Sequence, residues 1–406
     1  MTAVSTASSV AGRRLALLTV LLAGFTAFGP LSMDLYLPAF PQLATDLGAS
    51  QAGVQLTLTA DVVGLVVGQL ILGPLSDAWG RRRLLIGSTL VCAVASVLCA
   101  VSPSVGMLTG WRFLQGAAGG GGIVLARAVA ADLTSGVAAA RLFSLFMTAS
   151  SVAPIAAPVL GGLILAWSGS WRPMFLVLAA ISLVLAAATW VSIPESLAPE
   201  QRHTGGLRQT GRAFGGLVRD RAFVGYALTV AFAYASLFGY ISGSSFALQE
   251  EYGLSATQFS LVFAMNAAGM IVLGLLNARL VKRIAVRRLL VIGLAGSTVA
   301  AGVLLAVVAG TSLGLAAVLP PLFIVVATRG LVSSNATVLG VERAPAAGAA
   351  SAILGACMFA GGILVTPLMA LGGDRAALPM AAVVAGGAVA ALLATVLLTR
   401  PREVTP

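Results

Sequence analysis

Asp34, Asp61, Arg112 and Arg329 are ionisable residues set inside long apolar stretches. On insertion scales a charge at the centre of a membrane helix costs about 2.5–3.5 kcal/mol, so groups retained there point to proton transfer, ion pairing or ligand binding. Asp34 lies in Pro30-Leu-Ser-Met-Asp-Leu-Tyr-Leu-Pro-Ala-Phe-Pro41. A carboxyl withdrawn from water favours its neutral form, so it can take a proton on one side of a membrane and release it on the other. Ionised, it attracts a cationic or dipolar solute. The competing reading is a helix-end carboxylate bonded to nearby backbone. Asp61 sits about nine residues into its run, roughly 13 Å deep at 1.5 Å per residue. It is either a second proton site or a salt partner of Arg112 or Arg329, and it must face protein or water rather than lipid. Arg112 stays charged and needs an acceptor. Gln115 and Gly116 follow one turn on, on the same side. Its competing reading is a structural cation that neutralises the first span or helix carbonyls. Arg329 falls near the inner end of its run, where a long side chain can snorkel to water.

A second group of residues is mechanical. Residues 73–83, Gly-Pro-Leu-Ser-Asp-Ala-Trp-Gly-Arg-Arg-Arg, form a tight basic turn between two apolar runs. Gly73 and Gly80 permit close backbone approach and unusual dihedrals. Arg81, Arg82 and Arg83 hold the turn on the cytoplasmic side. Asp77 is a lone acid beside three cations and needs a partner. Arg127, which ends the fourth span on the same side with Asp132, is a candidate, the pair closing a cytoplasmic gate when the cavity faces out. Tyr36, Gln115, Tyr234, Phe238 and Asn266 are candidate lining residues of a ligand cavity, since aromatic and polarisable side chains suit loosely specified apolar ligands. A Tyr/Phe stripe such as Tyr234–Phe238 is equally compatible with packing or an interface belt.

These residues need membrane helices to hold them. The 406-residue chain is 59% hydrophobic and 9% charged, against roughly 25% charged in soluble domains. Runs of about 20 apolar residues predict twelve spans, near 15–37, 53–75, 84–102, 106–130, 141–166, 172–193, 222–246, 256–277, 288–309, 313–335, 348–370 and 376–399. The fifth contains Pro154 and Pro158 and is expected to kink. Arg13 and Arg14 before an apolar stretch resemble a signal peptide, but the run is long enough to span and is read as the first helix. Residues 1–12 are expected to lack order. The domains expected are an N-terminal tail (1–14), a six-helix bundle (15–193), a linker (194–221), a second six-helix bundle (222–399) and a C-terminal tail (400–406).

Cations alternate between loops. Arg81–Arg83, Arg141, the linker arginines and the Arg279–Arg288 group share one side, while only Arg172 and Arg375, with Asp46, Glu250, Glu251 and Asp374, lie on the other. That asymmetry puts both termini in the cytoplasm. The net charge of +11 is therefore topogenic and implies no nucleic acid partner. Cys92, Cys99 and Cys357 fall in apolar runs, with no metal spacing and no disulfide framework. His203, the single histidine, sits in the basic linker without a nucleophile or acid beside it. No metal and no cofactor are expected.

The halves look like repeats. Residues 274–283, Gly-Leu-Leu-Asn-Ala-Arg-Leu-Val-Lys-Arg, keep the Gly, the Leu and the terminal cations of the basic turn, with Ala278 in place of the acid. Gly161-Gly162 recurs as Gly361-Gly362.

Gly73, Leu75, Asp77, Gly80 and the paired Arg81-Arg82 closely resemble the loop between helices 2 and 3 of the major facilitator superfamily. Arg112-x-x-Gln115-Gly116 resembles that family's helix 4 motif, linked there to proton coupling. Ala157-Pro158-x-x-Gly161-Gly162 resembles its antiporter motif, with Ala157 where glycine is usual. Ser32–Pro41, Asp46-Leu-Gly-Ala-Ser50, Pro194-Glu195 and Ser333-Ser-Asn-Ala336 resemble the bicyclomycin and chloramphenicol resistance exporters, the Bcr/CflA group. The resemblance covers nearly the whole chain. It implies an all-α integral membrane protein of twelve helices in two six-helix pseudo-repeats. It also implies proton-driven efflux of small amphipathic drugs through one central cavity, in the bacterial inner membrane, by a monomer. Asp34 and Arg112 match sites considered functional in related exporters, whereas Asp61 replaces an expected aromatic residue. The alternative is a proton-linked uptake symporter of the same fold. A membrane enzyme or sensor lacks any supporting His/Cys/Asp cluster or nucleotide motif.

Overall fold

Apolar runs of this length leave no water for backbone amides, so each closes its hydrogen bonds within itself as a helix. The computed structural model of the chain describes residues 2–197, 219–310, 313–344, 347–370 and 375–399, and no strand occurs among them. The helices are α1 (Thr2–Asp34), α2 (Phe40–Asp46), α3 (Gln51–Trp79), α4 (Arg81–Ala100), α5 (Val105–Leu133), α6 (Gly136–Ser168) and α7 (Arg172–Ser192). There follow α8 (Arg221–Phe246), α9 (Ala256–Leu280), α10 (Val286–Gly310), α11 (Leu315–Val341), α12 (Ala347–Ile363), α13 (Val365–Ala370) and α14 (Ala377–Leu398). Twelve segments among the described residues are long and apolar enough to cross a membrane, in the predicted order. The middle of the linker with His203, Asp374 and the tail 400–406 lie outside the described residues.

Two spans are broken, each by a proline. Pro38 cannot take a place in the helix without its ring striking the carbonyl four residues back. That residue is Asp34, where α1 ends before a 3₁₀ turn at Leu37–Ala39. Pro367 stands in the same relation to Ile363, where α12 ends. In contrast α6 runs unbroken through Pro154 and Pro158. Two expectations need correction. α1 starts at Thr2, so residues 2–12 are helical rather than without order. The basic turn shrinks to one residue, Gly80, at φ 96°. Gly73 and Asp77 fall inside α3, and a Cβ on Gly73 would meet Val124 at an ordinary 3.5 Å.

Caps close the helix ends. Ser255 and Gln258 form a reciprocal capping box on α9, each satisfying a free N–H. Gly169, at φ 67°, ends α6 in the left-handed conformation that glycine adopts without penalty. Glu251, on the π-helical turn Ala247–Glu251 that follows α8, accepts from the N–H groups of Ala376 and Ala377. Its charge thereby meets the positive end of α14.

The described residues fall into two compact units. The first takes 2–36, 46–48 and 60–197; the second takes 37–45, 49–59 and the described residues from 219 onward. In the first, α1 packs on α5, α6 and α7, and α4 packs on α5 and α7. In the second, α8 is central, touching α11, α12, α13 and α14.

Within the first unit α3 meets α5 backbone to backbone. Gly64 and Gly68 of α3, and Gly116 and Gly120 of α5, each repeat at four residues, which puts a bare strip on both helices. A Cβ on Gly64 or Gly68 would collide with the carbonyl of Phe113 or Ala117, and one on Gly116 or Gly120 with that of Asp61 or Leu65.

Candidate functional site

This glycine contact brings Arg112 against Asp61. Their side chains pair at 3.1 Å with 0% and 2% exposure, so the ion pair is wholly dry. Helix spacing puts Gln115 beside Arg112, and its Oε1 accepts from the guanidinium at 2.5 Å. Across from them α1 contributes Ser32, whose Oγ and carbonyl oxygen accept at 3.0 and 3.3 Å. The guanidinium lies 4.5 Å from the centre of the Tyr36 ring and 5.6 Å from that of Phe175, close enough for attraction to both ring faces. Gln115 passes the network to α4 by donating to Ser96 Oγ at 2.7 Å. Cys92 and Cys99 also turn their thiols to Gln115, at 3.7 and 3.8 Å.

Of the two arginines Asp61 pairs with Arg112, and its Oδ1 is buried without a hydrogen bond. Asp34 is buried too, at 4% exposure, and it enters none of the ion pairs among the described residues. Its charged neighbour is Asp61. Asp61 alone of the two carboxyls pairs with the guanidinium, and Asp34 is a second buried acid without an ion pair among the described residues, in a medium that penalises net charge. One added proton makes the site neutral; its loss leaves an uncompensated negative charge.

The basic turn is a second polar cluster. Arg81 pairs with Asp77 at 2.6 Å and with Asp132 at 3.3 Å, and also bonds Ser76. In this structure the partner of Asp77 is Arg81, four residues on across the turn, and Arg127 is exposed on α5. Glu195 accepts from the N–H groups of Arg81 and Arg82 at 2.8 and 3.3 Å. A carboxylate therefore stands at the positive start of α4. Arg82 donates to the Trp190 carbonyl at 2.6 Å and stacks over its ring at 5.5 Å.

The other expected residues scatter. Pro158, Gly161 and Gly162 lie in α6, which packs on α1, with Ser150 bonding the Thr26 carbonyl at 3.2 Å. Tyr36 and Gln115 are fully buried around Arg112 rather than free to line a cavity. In the second unit Phe238 is buried against the half-buried Tyr234, with ring centres 6.1 Å apart. Asn266, 1% exposed, donates to Tyr240 Oη at 3.0 Å. None of these borders the apolar recess of about 840 Å³ between α8, α12 and α14, which Cys357 does line. Arg329 corrects the snorkelling expectation: it sits mid-helix in α11 and is 5% exposed.

Sequence reasoning missed several partners. Ser32 and Ser96 are small hydroxyls that no spacing marks, and Glu195 was noted only as part of a family-like dipeptide. Asn277 and Asn335 exchange two amide hydrogen bonds, at 3.2 and 2.8 Å, between α9 and α11. The signal was a polar residue in each apolar run, but nothing linear paired them.

The family profile described as Major Facilitator Superfamily matches residues 17–366 and 249–405. An uncharacterised MFS-type transporter of Bacillus subtilis (strain 168), YdgK, is 38% identical over 395 residues, covering 96% of this chain and 97% of that protein. A bicyclomycin resistance protein homolog of Haemophilus influenzae is 32% identical over 371 residues, covering 91% and 93%. A crystal structure of the nucleoside transporter NupG superposes with a TM-score of 0.75 at 13% identity, covering 95% of this chain and 100% of that one, which speaks to the fold. With its twelve apolar helices and buried ion pair, the chain belongs to the Major Facilitator Superfamily and is a membrane transporter of small molecules, not an enzyme.

Proposed function

We propose that the protein exports small amphipathic compounds, drugs among them, in exchange for protons, by alternating access across a bacterial inner membrane. It works as a monomer with both termini cytoplasmic and needs no cofactor. The observation that carries this reading is the buried Asp61–Arg112 pair together with the buried, unpaired Asp34, two acids and one base withdrawn from water. A proton arriving there neutralises the site, and a proton leaving it restores a charge that burial disfavours. Conformations that differ in access to these groups then differ in proton affinity, which is what coupling requires. The bonds of Arg81 and Arg82 to Asp77, Asp132 and Glu195 give the basic turn contacts that a conformational change can make and break. A relative of 32% identity that bears a bicyclomycin resistance name supports efflux over uptake.

The test is transport in proteoliposomes under an imposed pH gradient, with a panel that includes bicyclomycin and chloramphenicol. Accumulation against the direction of proton flow is expected; accumulation along it would establish the symporter instead. Asp34→Asn is expected to abolish gradient-driven accumulation, and Asp61→Asn is measured beside it. Unchanged accumulation by Asp34→Asn removes that residue from the mechanism.

A further inference from the structure

Arg329 is a buried cation with no counterion among the described residues. Its Nε is buried with no hydrogen bond. The described carboxylates of the second unit are Asp220, Glu250, Glu251 and Glu342, every one at a helix end. Three of these are already engaged: Asp220 caps α8, Glu250 accepts from Gln51, and Glu251 caps α14. Glu342 lies beyond the end of α11, well along the chain from Arg329. At the helical rise per residue the separation is roughly 20 Å.

The surroundings of Arg329 are ordered. Gly330 presses on the backbone of α9 at Met270 and Gly274, and Leu331 and Val332 pack against Gly293 of α10. Tyr234 of α8 lies within electrostatic range of Arg329. Tyr234 in turn packs on Phe238 at 6.1 Å and on Phe359 at 5.9 Å. A guanidinium is a planar fork suited to a carboxylate, and here it stands beside an aromatic cluster.

We propose that Arg329 anchors the carboxylate of an amphipathic aromatic cargo, whose ring packs on Tyr234 and its aromatic neighbours. This deepens the transport reading, on which it rests, by adding organic acids to the substrate class. A lipid headgroup is the other source of an anion. Arg329 stands near the middle of α11, roughly 20 Å from either end. That position sets it away from the level of headgroups and favours a solute that enters the protein.

Purified full-length protein in nanodiscs is titrated calorimetrically with benzoate, 2-naphthoate and 4-phenylbenzoate, each beside its primary amide. At least one acid is expected to bind about tenfold tighter than its amide. Arg329→Gln should bring that ratio near one, and Arg329→Lys should keep part of it. Repeating the wild-type titration in nanodiscs with and without anionic lipid separates the two sources. A ratio independent of lipid supports the solute site, and one erased by anionic lipid overturns it. Equal affinity of acid and amide for all three pairs, or a preference that survives in Arg329→Gln, also overturns the proposal. If Arg329→Gln does not fold, the wild-type ratio and the lysine variant still decide. No pH gradient is present, so a failure of proton exchange leaves this ratio intact, and the two readings fail separately.

Discussion

Arg112 gathers nearly every polar contact of its neighbourhood, from Asp61, Ser32, Gln115 and two aromatic rings. A buried ion pair adds little net stability, but removing one partner strands the other, at about 3–5 kcal/mol. Arg112→Ala should therefore lower the melting temperature of the detergent-purified protein sharply, whereas Asp61→Asn/Arg112→Gln should lose less than the two single changes together. Losses that simply add would mean that the residues are not coupled. The acids and the arginine were legible in the sequence because charge is rare in apolar runs. Their pairing was not, since a chain read linearly cannot tell whether Asp61 meets Arg112 or Arg329. Arg329 shows the same limit: its distance from the end of its run suggested an exit to water, and only the packing of α11 shows that the side chain stays inside.

At the scale of helices, the seam between α3 and α5 rests on glycine. Gly116→Ala would drive a methyl into the Asp61 carbonyl, an overpacking that costs about 1–3 kcal/mol. Gly110, on the same helix, has nothing within 4 Å of a would-be Cβ, and Gly110→Ala is expected to be neutral. Fluorescence-detected size exclusion with a thermal ramp compares the two; equal behaviour would contradict the close contact. Helix positions were readable from hydropathy because lipid demands long apolar runs. Breaks and ends were less so. The tight basic turn was expected over residues 73–83, yet it is Gly80 alone, and α3 carries Gly73 and Pro74 within its length. Glu195 helps to start α4 from a distant part of the chain, which no local pattern encodes.

For the molecule as a whole, the proposed orientation rests on loop charge and can be checked directly. In a chain whose Cys357 is replaced, Cys92 and Cys99 are 2% and 0% exposed and should stay unlabelled. A membrane-impermeant maleimide applied to intact cells should label Ser104→Cys, in the exposed turn after α4, and spare Ala285→Cys, in the basic turn before α10. The opposite pattern would invert the topology. The paired glycines 161–162 and 361–362 suggest repeats in the sequence, and the second pair presses its helix onto α8 at Ala231 and Tyr234. One residue of the first unit serves two masters. Asp61 gives its carboxylate to Arg112 and sets its main-chain oxygen against Gly116, so the buried ion pair and the close helix seam share a single link of chain. No cushion of side chains separates the two. In the proposed exchange, a hydrogen ion taken up or lost at that side chain acts on a residue whose backbone is itself the contact between two helices.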